Sequence, residues 1–321
     1  MNILLPKIVT AGMLLAGTNI PEVDATAGEV AWVSGSAAAI GDRRYYDSYA
    51  HECVKPIAAG STESVWAPSS VEAQGRYWLK DDDAPSNRMA PFIDEYIYTK
   101  ARRKGEIVYV LRAPFATGLA IHGIEGDRVE VTAADDMGNA LMPPIVRGLW
   151  EQAYGLWEYL FSDLQRVEKF TLLSIPLHPR TTITVRIVRN NADVDAAVGW
   201  ISVGQWKALY APGSSTRGGT QYGVETTPKA YNYFQRDDNT GKYKRRTGRK
   251  ATLISGRVLI DAKKGPAAKA LLDKVLGIPV AIEVSQLDRY SHISTVGFLT
   301  GSVVNDNPVT APINFKVEGN V

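Results

Sequence analysis

The stretch that decides the fold class is Thr182-Ile183-Thr184-Val185-Arg186-Ile187-Val188, in which apolar residues fall at every second position. Successive side chains of a strand point to opposite faces, so this pattern predicts a strand with one buried face. Residues 128–132 alternate in the same way, and residues 107–111 and 118–123 form further apolar runs. Turn signals separate these runs, which favours antiparallel pairing. We therefore predict an antiparallel β-sandwich over residues 91–205.

The last part of the chain, residues 206–321, contains the clearest helix signal. Asp261 offers a helix cap, Pro266 fits a first turn, and Gly277 follows the last apolar position as a stop signal. Apolar residues repeat between them at helical spacing, at Ala267, Ala270, Leu271 and Val275. Strands are predicted around this helix at 253–259, 278–284, 296–299 and 313–317. This section is therefore predicted to be an α+β domain with one helix over a sheet.

Two further segments complete a mainly β organisation. Residues 1–29 are predicted to form an extended strap, docked on a partner or on the body of the protein; an edge strand of the same chain is the alternative. Residues 30–90 are predicted to be a small β module that ends in a polar linker at 81–87. Residues 148–165 fit both a helical and a strand face, and Gly155 favours the strand because glycine weakens helices.

The composition narrows the function classes. The chain has 321 residues with 36 Lys and Arg against 34 Asp and Glu, giving a net charge of +2, so no surface-wide affinity for nucleic acid is expected. A single cysteine and four histidines argue against a disulfide, a multi-cysteine zinc site or a histidine-rich metal centre. No apolar run is long enough for a membrane-spanning segment. We expect no metal and no cofactor.

Catalytic motifs are not found in the sequence, so we expect no enzymatic activity. His51 and Cys53 share a strand face and could form a nucleophilic pair, but an apolar cysteine beside a surface histidine is the favoured interpretation. A glycan hydrolase would need two carboxylates across a cleft. Candidates exist at Asp94, Glu95, Asp135 and Asp136, and nothing in the sequence pairs them. The acidic run at 81–83 lacks the ligand spacing of a calcium loop.

Aromatic residues supply many of the large apolar side chains of the small module. Flat rings suit the apolar face of a sugar and lose little entropy on binding. The alternative is that the same rings form the core of the module, which has few aliphatic residues. The candidate carbohydrate-binding residues are Trp32, Tyr46, Tyr49, Trp66 and Trp78.

The most pronounced cluster of charge in the sequence is a run of basic residues. Six of the nine residues from Lys242 to Lys250 are basic, and residues 237–241 before them predict a hairpin loop. Such a strand could contact nucleic acid, pair with an acidic neighbouring chain, or remain a solvated hairpin. We predict that Arg245 or Arg246 contacts a carboxylate of a neighbouring subunit, and we do not expect nucleic acid as a partner.

The module resembles the small carbohydrate-binding modules of chitinase type. The resemblance rests on Trp32, on the run Gly41-Asp42-Arg43-Arg44-Tyr45-Tyr46-Asp47-Ser48-Tyr49, and on Trp66 and Trp78. It implies that a host cell-surface glycan is a further partner.

The module followed by Asn87-Arg88-Met89-Ala90-Pro91-Phe92 resembles a family of tailed-bacteriophage virion proteins. Later segments of the chain fit the same family, at 200–204, 218–223, 294–301 and 317–319. The final α+β section is similar to distal tail and baseplate proteins, an analogy at the level of the fold. The resemblance implies a structural subunit of a tail tip or baseplate, made in the host cytoplasm and found in the virion tail. The implied partners are other phage tail proteins and further copies of the chain in a homo-oligomer.

Overall fold

A computed structural model describes residues 1–151, 153, 155–163, 165–209, 219–236, 242–285, 293–304 and 308–319. With 46% strand and 12% helix, the fold is mainly β and of the β-sandwich type, as predicted. The chain divides into two compact units. We call Met1–Lys7 with Val203–Val321 the terminal unit, and Ile8–Ser202 the central unit.

The strands of the described residues are 2 to 12 residues long and antiparallel in every named pairing. In chain order they are β1 (Asn2–Pro6), β2 (Arg43–Tyr46), β3 (Tyr49–Cys53), β4 (Trp78–Pro85), β5 (Ala101–Lys104), β6 (Glu106–Arg112), β7 (Gly118–His122), β8 (Arg128–Ala134), β9 (Ile145–Gly148), β10 (Lys169–Leu172), β11 (Thr182–Val188), β12 (Asp195–Val198), β13 (Trp200–Ala208), β14 (Gly219–Thr220), β15 (Glu225–Ala230), β16 (Tyr233–Arg236), β17 (Tyr243–Arg246), β18 (Lys250–Asp261), β19 (Pro279–Glu283), β20 (Ser294–Val303) and β21 (Thr310–Gly319). The α-helices are α1 (Ala90–Ile93), α2 (Leu156–Phe161) and α3 (Gly265–Val275). Single 3-10 turns lie at Ala11–Met13, Ala25–Ala27, Thr62–Val65 and Ala262–Lys264.

The terminal unit is a sheet with the strand order β13-β1-β19-β20-β21-β18-β14, and β15 also pairs with β18. β1 is an interior strand, because it pairs with β13 on one side and with β19 on the other. Met1, Ile3 and Leu4 are buried. Residues 2–6 therefore dock on the body of their own chain as an interior strand, and the alternative prediction of an edge strand is wrong. Gly204 permits the close approach of β13 and β1, since a Cβ atom there would collide with the carbonyl oxygen of Leu5.

Helix α3 confirms the predicted helix over a sheet. Its Ala268, Leu272 and Val275 are buried in the same core as residues of β18 to β21. The predicted apolar face is wrong in part, because Ala267 and Ala270 are exposed and the face that meets the sheet lies one residue further along. The carboxylate of Asp261 accepts a hydrogen bond from the Lys263 amide, which caps the 3-10 turn that leads into the helix. Gly277 follows the helix at φ +75°, the left-handed conformation that glycine adopts without strain.

The central unit contains a four-stranded sheet in the order β6-β11-β8-β9. The predicted alternation is confirmed, because every second residue of β6, β8 and β11 is buried. Residues after β1 run along the outer edge of β6 and satisfy its backbone. The amide of Leu15 donates to the Val110 carbonyl at 2.8 Å, and Asn19 exchanges two hydrogen bonds with the backbone of Val108. This part of the predicted strap thus covers an edge strand of its own chain.

The predicted polar linker at 81–87 is wrong in its local structure. Residues up to Pro85 belong to β4, which pairs with β3 in the three-stranded sheet β2-β3-β4. The acidic side chains suit a strand here because they face solvent and make ion pairs. Asp81 contacts Arg43 at 2.7 Å, and Asp82 contacts Lys80 at 2.6 Å.

The Asn87 motif has a structural role. The Asn87 side chain donates to Asp24 at 2.8 Å and to the Arg102 carbonyl at 3.1 Å, and its amide donates to Glu29 at 2.5 Å. Hydrogen bonds from Thr26 and Asn87 lower the pKa of Asp24 against the opposing effect of burial, whereas burial raises the pKa of Glu29. The motif therefore fastens the end of the strap to the chain after β4.

Candidate functional site

The predicted basic hairpin is a two-stranded ribbon of β16 and β17, whose eight residues are all exposed. We call residues 231–249 the basic ribbon; its loop at 237–241 lies outside the described residues. Tyr233 pairs with Arg246, and Phe234 with Arg245. Paired residues share a face and consecutive residues do not, so Arg245 and Arg246 lie on opposite faces.

One face of the basic ribbon is aromatic and cationic. The rings of Phe234 and Tyr243 stack with centroids 5.2 Å apart, although both side chains are more than 60% exposed. Arg236 and Arg245 lie on the same face by register. Within the described residues, neither arginine makes an ion pair. We call this the aromatic face of the ribbon.

The base of the ribbon is closed by specific contacts. The Tyr231 amide donates to the Arg249 carbonyl at 2.9 Å, and the Gly248 amide donates to the side chain of Asn232 at 3.0 Å. A Cβ atom on Gly248 would collide with the Tyr231 carbonyl, so glycine is required. The Tyr231 hydroxyl also donates to Glu318 at 3.4 Å. The ribbon is thus fixed at its base and exposed along its length.

Residues 149–165 contain a second exposed element, helix α2, and we call this segment the apolar tip. Leu149 at its start is buried, and residues 152, 154 and 164 lie outside the described residues. Leu149 and Glu151 make backbone hydrogen bonds with residues 165 and 167, and this two-stranded stem carries helix α2. The strand predicted for this region is wrong. Gly155 precedes the helix in an extended conformation, so its low helix propensity does not weaken α2.

The apolar side chains of α2 face solvent. Trp157 is 77% exposed and Phe161 is 72% exposed, and their rings stack at 5.0 Å. This spacing of four residues is the helical periodicity that the sequence also contained. Leu156, Tyr159 and Leu160 are exposed as well. Of the helical face considered from the sequence, Tyr154 lies outside the described residues.

The candidate carbohydrate-binding residues divide between core and surface. Trp78 is 2% exposed and lies in the module's core with Cys53 and Ile57, so its ring is not available for stacking on a sugar. Trp32 and Tyr46 are half-buried and meet edge to face at 5.3 Å. Trp32 also packs against the core.

The remaining two candidates are half-buried. Tyr49 is covered by the ammonium group of Lys80, 3.5 Å from its ring centroid. Trp66 packs edge to face with Tyr77 at 5.9 Å, and Lys55 lies over the Tyr77 ring. Tyr77 was not among the predicted site residues. It lies in the turn before β4, half-buried and packed against the same core as Trp78, and no local pattern in the sequence distinguishes it.

His51 and Cys53 do not form a reactive pair. The prediction of a surface histidine is wrong, because His51 is 1% exposed and its Nε2 lies 3.2 Å from the Tyr46 carbonyl. Burial lowers the pKa of His51 and raises the pKa of Cys53, so both groups favour their neutral forms. The Cys53 thiol donates to the Lys55 carbonyl at 3.0 Å.

Three of the candidate catalytic carboxylates, Asp94, Asp135 and Asp136, make local structural contacts. Asp94 accepts a hydrogen bond from the Tyr96 amide, and Asp135 accepts from the Met137 and Asn139 amides. Asp136 forms an ion pair with Arg180 at 2.6 Å.

Within the described part of the chain, no three His, Cys, Asp or Glu side chains come together as a metal site. None of the described helices has the length and hydropathy needed to cross a membrane.

Comparison of the chain with protein-family models, with curated proteins and with solved structures finds no match.

Proposed function

We propose that this protein is a structural subunit of a bacteriophage tail tip or baseplate, assembled through protein–protein contacts. The observation that carries the proposal is the basic ribbon, a rigidly based element that presents stacked aromatic rings and arginines to solvent. Exposed aromatic residues and arginines are the residue types that dominate protein interfaces. The resemblance of the module and the Asn87 motif to phage virion proteins supports the same assignment.

In this proposal Arg245 or Arg246 contacts a carboxylate of a neighbouring chain. A charge pair buried at a subunit contact loses its solvent screening and contributes more than the ~0–1 kcal/mol of an exposed pair. Assembly through one repeated contact of this kind produces rings or open helices.

The test of the proposed function is immunogold electron microscopy of virions with antibody against this chain. Labelling at the tail tip or baseplate supports the proposal, whereas labelling only of capsids or infected cytoplasm refutes it. The assembly contact is tested separately with the double variant Arg245→Glu, Arg246→Glu. We expect it to fold and to fail in assembly, because an exposed hairpin contributes little to the core. The control Lys263→Glu, Lys264→Glu makes the same charge change at an exposed site elsewhere in the terminal unit.

A second candidate function is the binding of a host cell-surface glycan by the small module. The observation that favours it is the partial exposure of the pairs Trp32–Tyr46 and Trp66–Tyr77. Binding of the purified protein to host-envelope glycans should then fall in a Tyr46→Ala variant that retains the wild-type melting temperature. Equal binding by the variant and the wild type, or no binding by either, excludes this site.

A further inference from the structure

The apolar tip and the basic ribbon carry opposite charge. The seventeen residues of the tip contain three carboxylates and no Lys or Arg. Arg166, which pairs with Trp150 in the stem and lies over its ring, forms an ion pair with Asp127 outside the tip. Residues 231–250, which comprise the ribbon and the first residue of β18, contain seven basic and two acidic residues. The chain as a whole has a net charge of only +2, so these two segments depart from its average in opposite directions. Each segment also presents stacked, exposed aromatic rings.

We propose that the apolar tip of one copy of this chain binds the aromatic face of the basic ribbon of a second copy. This contact rests on the proposed assembly function and names its partner. The Trp157–Phe161 pair would pack against the Phe234–Tyr243 pair. The exposed carboxylates of Glu151 and Asp163 would then supply the acidic partners for Arg236 and Arg245.

A second copy fits both surfaces better than any other partner. Nucleic acid would suit the arginines of the ribbon, but it would be repelled by the carboxylates of the tip. A lipid bilayer would accept the aromatic residues of the tip but gives the ribbon no role. A second copy carries the complement of each surface at once, in both charge and apolar character.

The geometry of α2 also favours an enclosing partner. Its five apolar side chains are all exposed, and Glu158 is the one charged residue among its six positions. At 100° per residue, the apolar positions span roughly 200° around the helix axis. A partner must therefore surround much of the helix, and the exposed stack of the ribbon with its long arginine side chains offers apolar and charged surface together.

The contact joins two different surfaces, so two copies held by one such contact keep one tip and one ribbon available for further copies. The wild-type chain should therefore extend into rings or filaments. Sedimentation velocity at increasing protein concentration measures this self-association. Raising the salt concentration should weaken the association, because part of the attraction is electrostatic.

Charge-exchanged variants provide the decisive test. Variant R has Arg236→Glu and Arg245→Glu, and variant T has Glu151→Lys and Asp163→Lys. Each alone opposes like charges at the contact, so we expect self-association to weaken about 100-fold. When the two are mixed, the acidic ribbon of R meets the basic tip of T. The wild-type acidic tip of R also meets the wild-type basic ribbon of T, so both contacts are attractive. The mixture should therefore co-assemble into rings or filaments in which R and T alternate, although neither variant assembles alone.

Matched controls separate this contact from general charge effects. Lys244→Glu with Arg246→Glu alters the opposite face of the ribbon and should weaken association less than variant R. Trp157→Ala with Phe161→Ala should abolish association, whereas Ile8→Ala, at another exposed apolar residue, should leave it unchanged. Circular dichroism and melting temperature establish that every variant is folded.

The outcomes that overturn the inference are distinct from those that overturn the proposed function. The inference fails if the wild-type chain stays monomeric, if variant T assembles normally, or if the mixture of R and T forms no joint assembly. It also fails if a DNA duplex binds the wild type and variant R loses that binding while its self-association is unchanged. The same holds if phosphatidylcholine vesicles bind the wild type and the variant with Trp157→Ala and Phe161→Ala loses that binding while its self-association is unchanged. In each case the location of the protein in the virion remains a separate result.

Discussion

His122 should make the stability of this protein depend on pH. It lies on β7 and is 5% exposed, with its ring edge to face with Trp200 at 5.9 Å. Lys169 stands directly opposite on β10. Burial, with a smaller contribution from the charge of Lys169, lowers the pKa of His122 to about 3. The ordinary pKa of histidine is 6.5, so the unfolded chain binds a proton that the folded chain excludes.

The sign and size of the effect follow from this difference. Because the folded pKa is depressed, the stabilisation is present above pH 6.5 and is lost as the pH falls toward 3. One pKa unit corresponds to about 1.4 kcal/mol, so the loss between pH 7 and pH 5 is about 2 kcal/mol. A His122→Leu variant has no proton to bind at this position and should not show this part of the loss.

The assay is urea unfolding of the wild type and of His122→Leu at pH 7 and pH 5. Other groups titrate in both proteins, so the quantity of interest is the difference between their losses of unfolding free energy. We expect the wild type to lose about 2 kcal/mol more than the variant. Ile121→Val, a buried control on the same strand, should lower stability equally at both pH values. Equal losses in the wild type and His122→Leu would show that His122 is not held neutral by burial.

Three further substitutions test the core and the base of the ribbon. Gly204→Ala forces a collision with the Leu5 carbonyl and should lower the unfolding free energy by about 2 kcal/mol; an unchanged melting temperature would contradict the interior position of β1. Gly248→Ala should open the base of the ribbon, with loss of hydrogen-exchange protection at the Tyr231 amide and little change in overall stability; retained protection would contradict the contact. Trp78→Ala should lower stability by about 3–5 kcal/mol in urea unfolding, and a loss below about 1 kcal/mol would contradict its core position.

Elements with a complete local signal could be predicted from the sequence. Seven consecutive residues are enough to show the alternation of apolar and polar residues in β8 and in β11. The burial of one face of each strand explains this alternation. Helix α3 likewise carries its start signal and its stop at Gly277, although Ala268 and Leu272 meet the core instead of the predicted Ala267 and Ala270. In both cases the physical cause of the structure lies inside the segment itself.

Elements defined by distant partners could not be predicted with the same precision. The apolar run at 3–5 has one composition whether it is an edge or an interior strand, and its neighbours lie about 200 and 280 residues along the chain. The acidic run of β4 is polar like a linker, and only its pairing with β3 makes it a strand. In the apolar tip, aromatic residues recur at both strand and helix spacing, so periodicity alone does not choose between them.

The candidate site shows the same division. The exposed ribbon and its arginines follow from a dense basic run, since so many like charges need solvent or an acidic partner. The burial of Trp78 depends instead on which face of β4 meets the module's core. A composition with many aromatic residues does not determine that orientation.

A net charge near zero does not determine how this molecule would attract and orient a binding partner. Long-range attraction depends on the local field, and charges further apart than roughly 8–10 Å are largely screened at physiological salt. The acidic tip and the basic ribbon would each act on a partner through the local field of its own charges. Within each of these segments, the exposed aromatic stack supplies the short-range apolar contact and the charges select the orientation. Self-association of this kind should be specific in direction and sensitive to salt, although the whole chain is almost neutral.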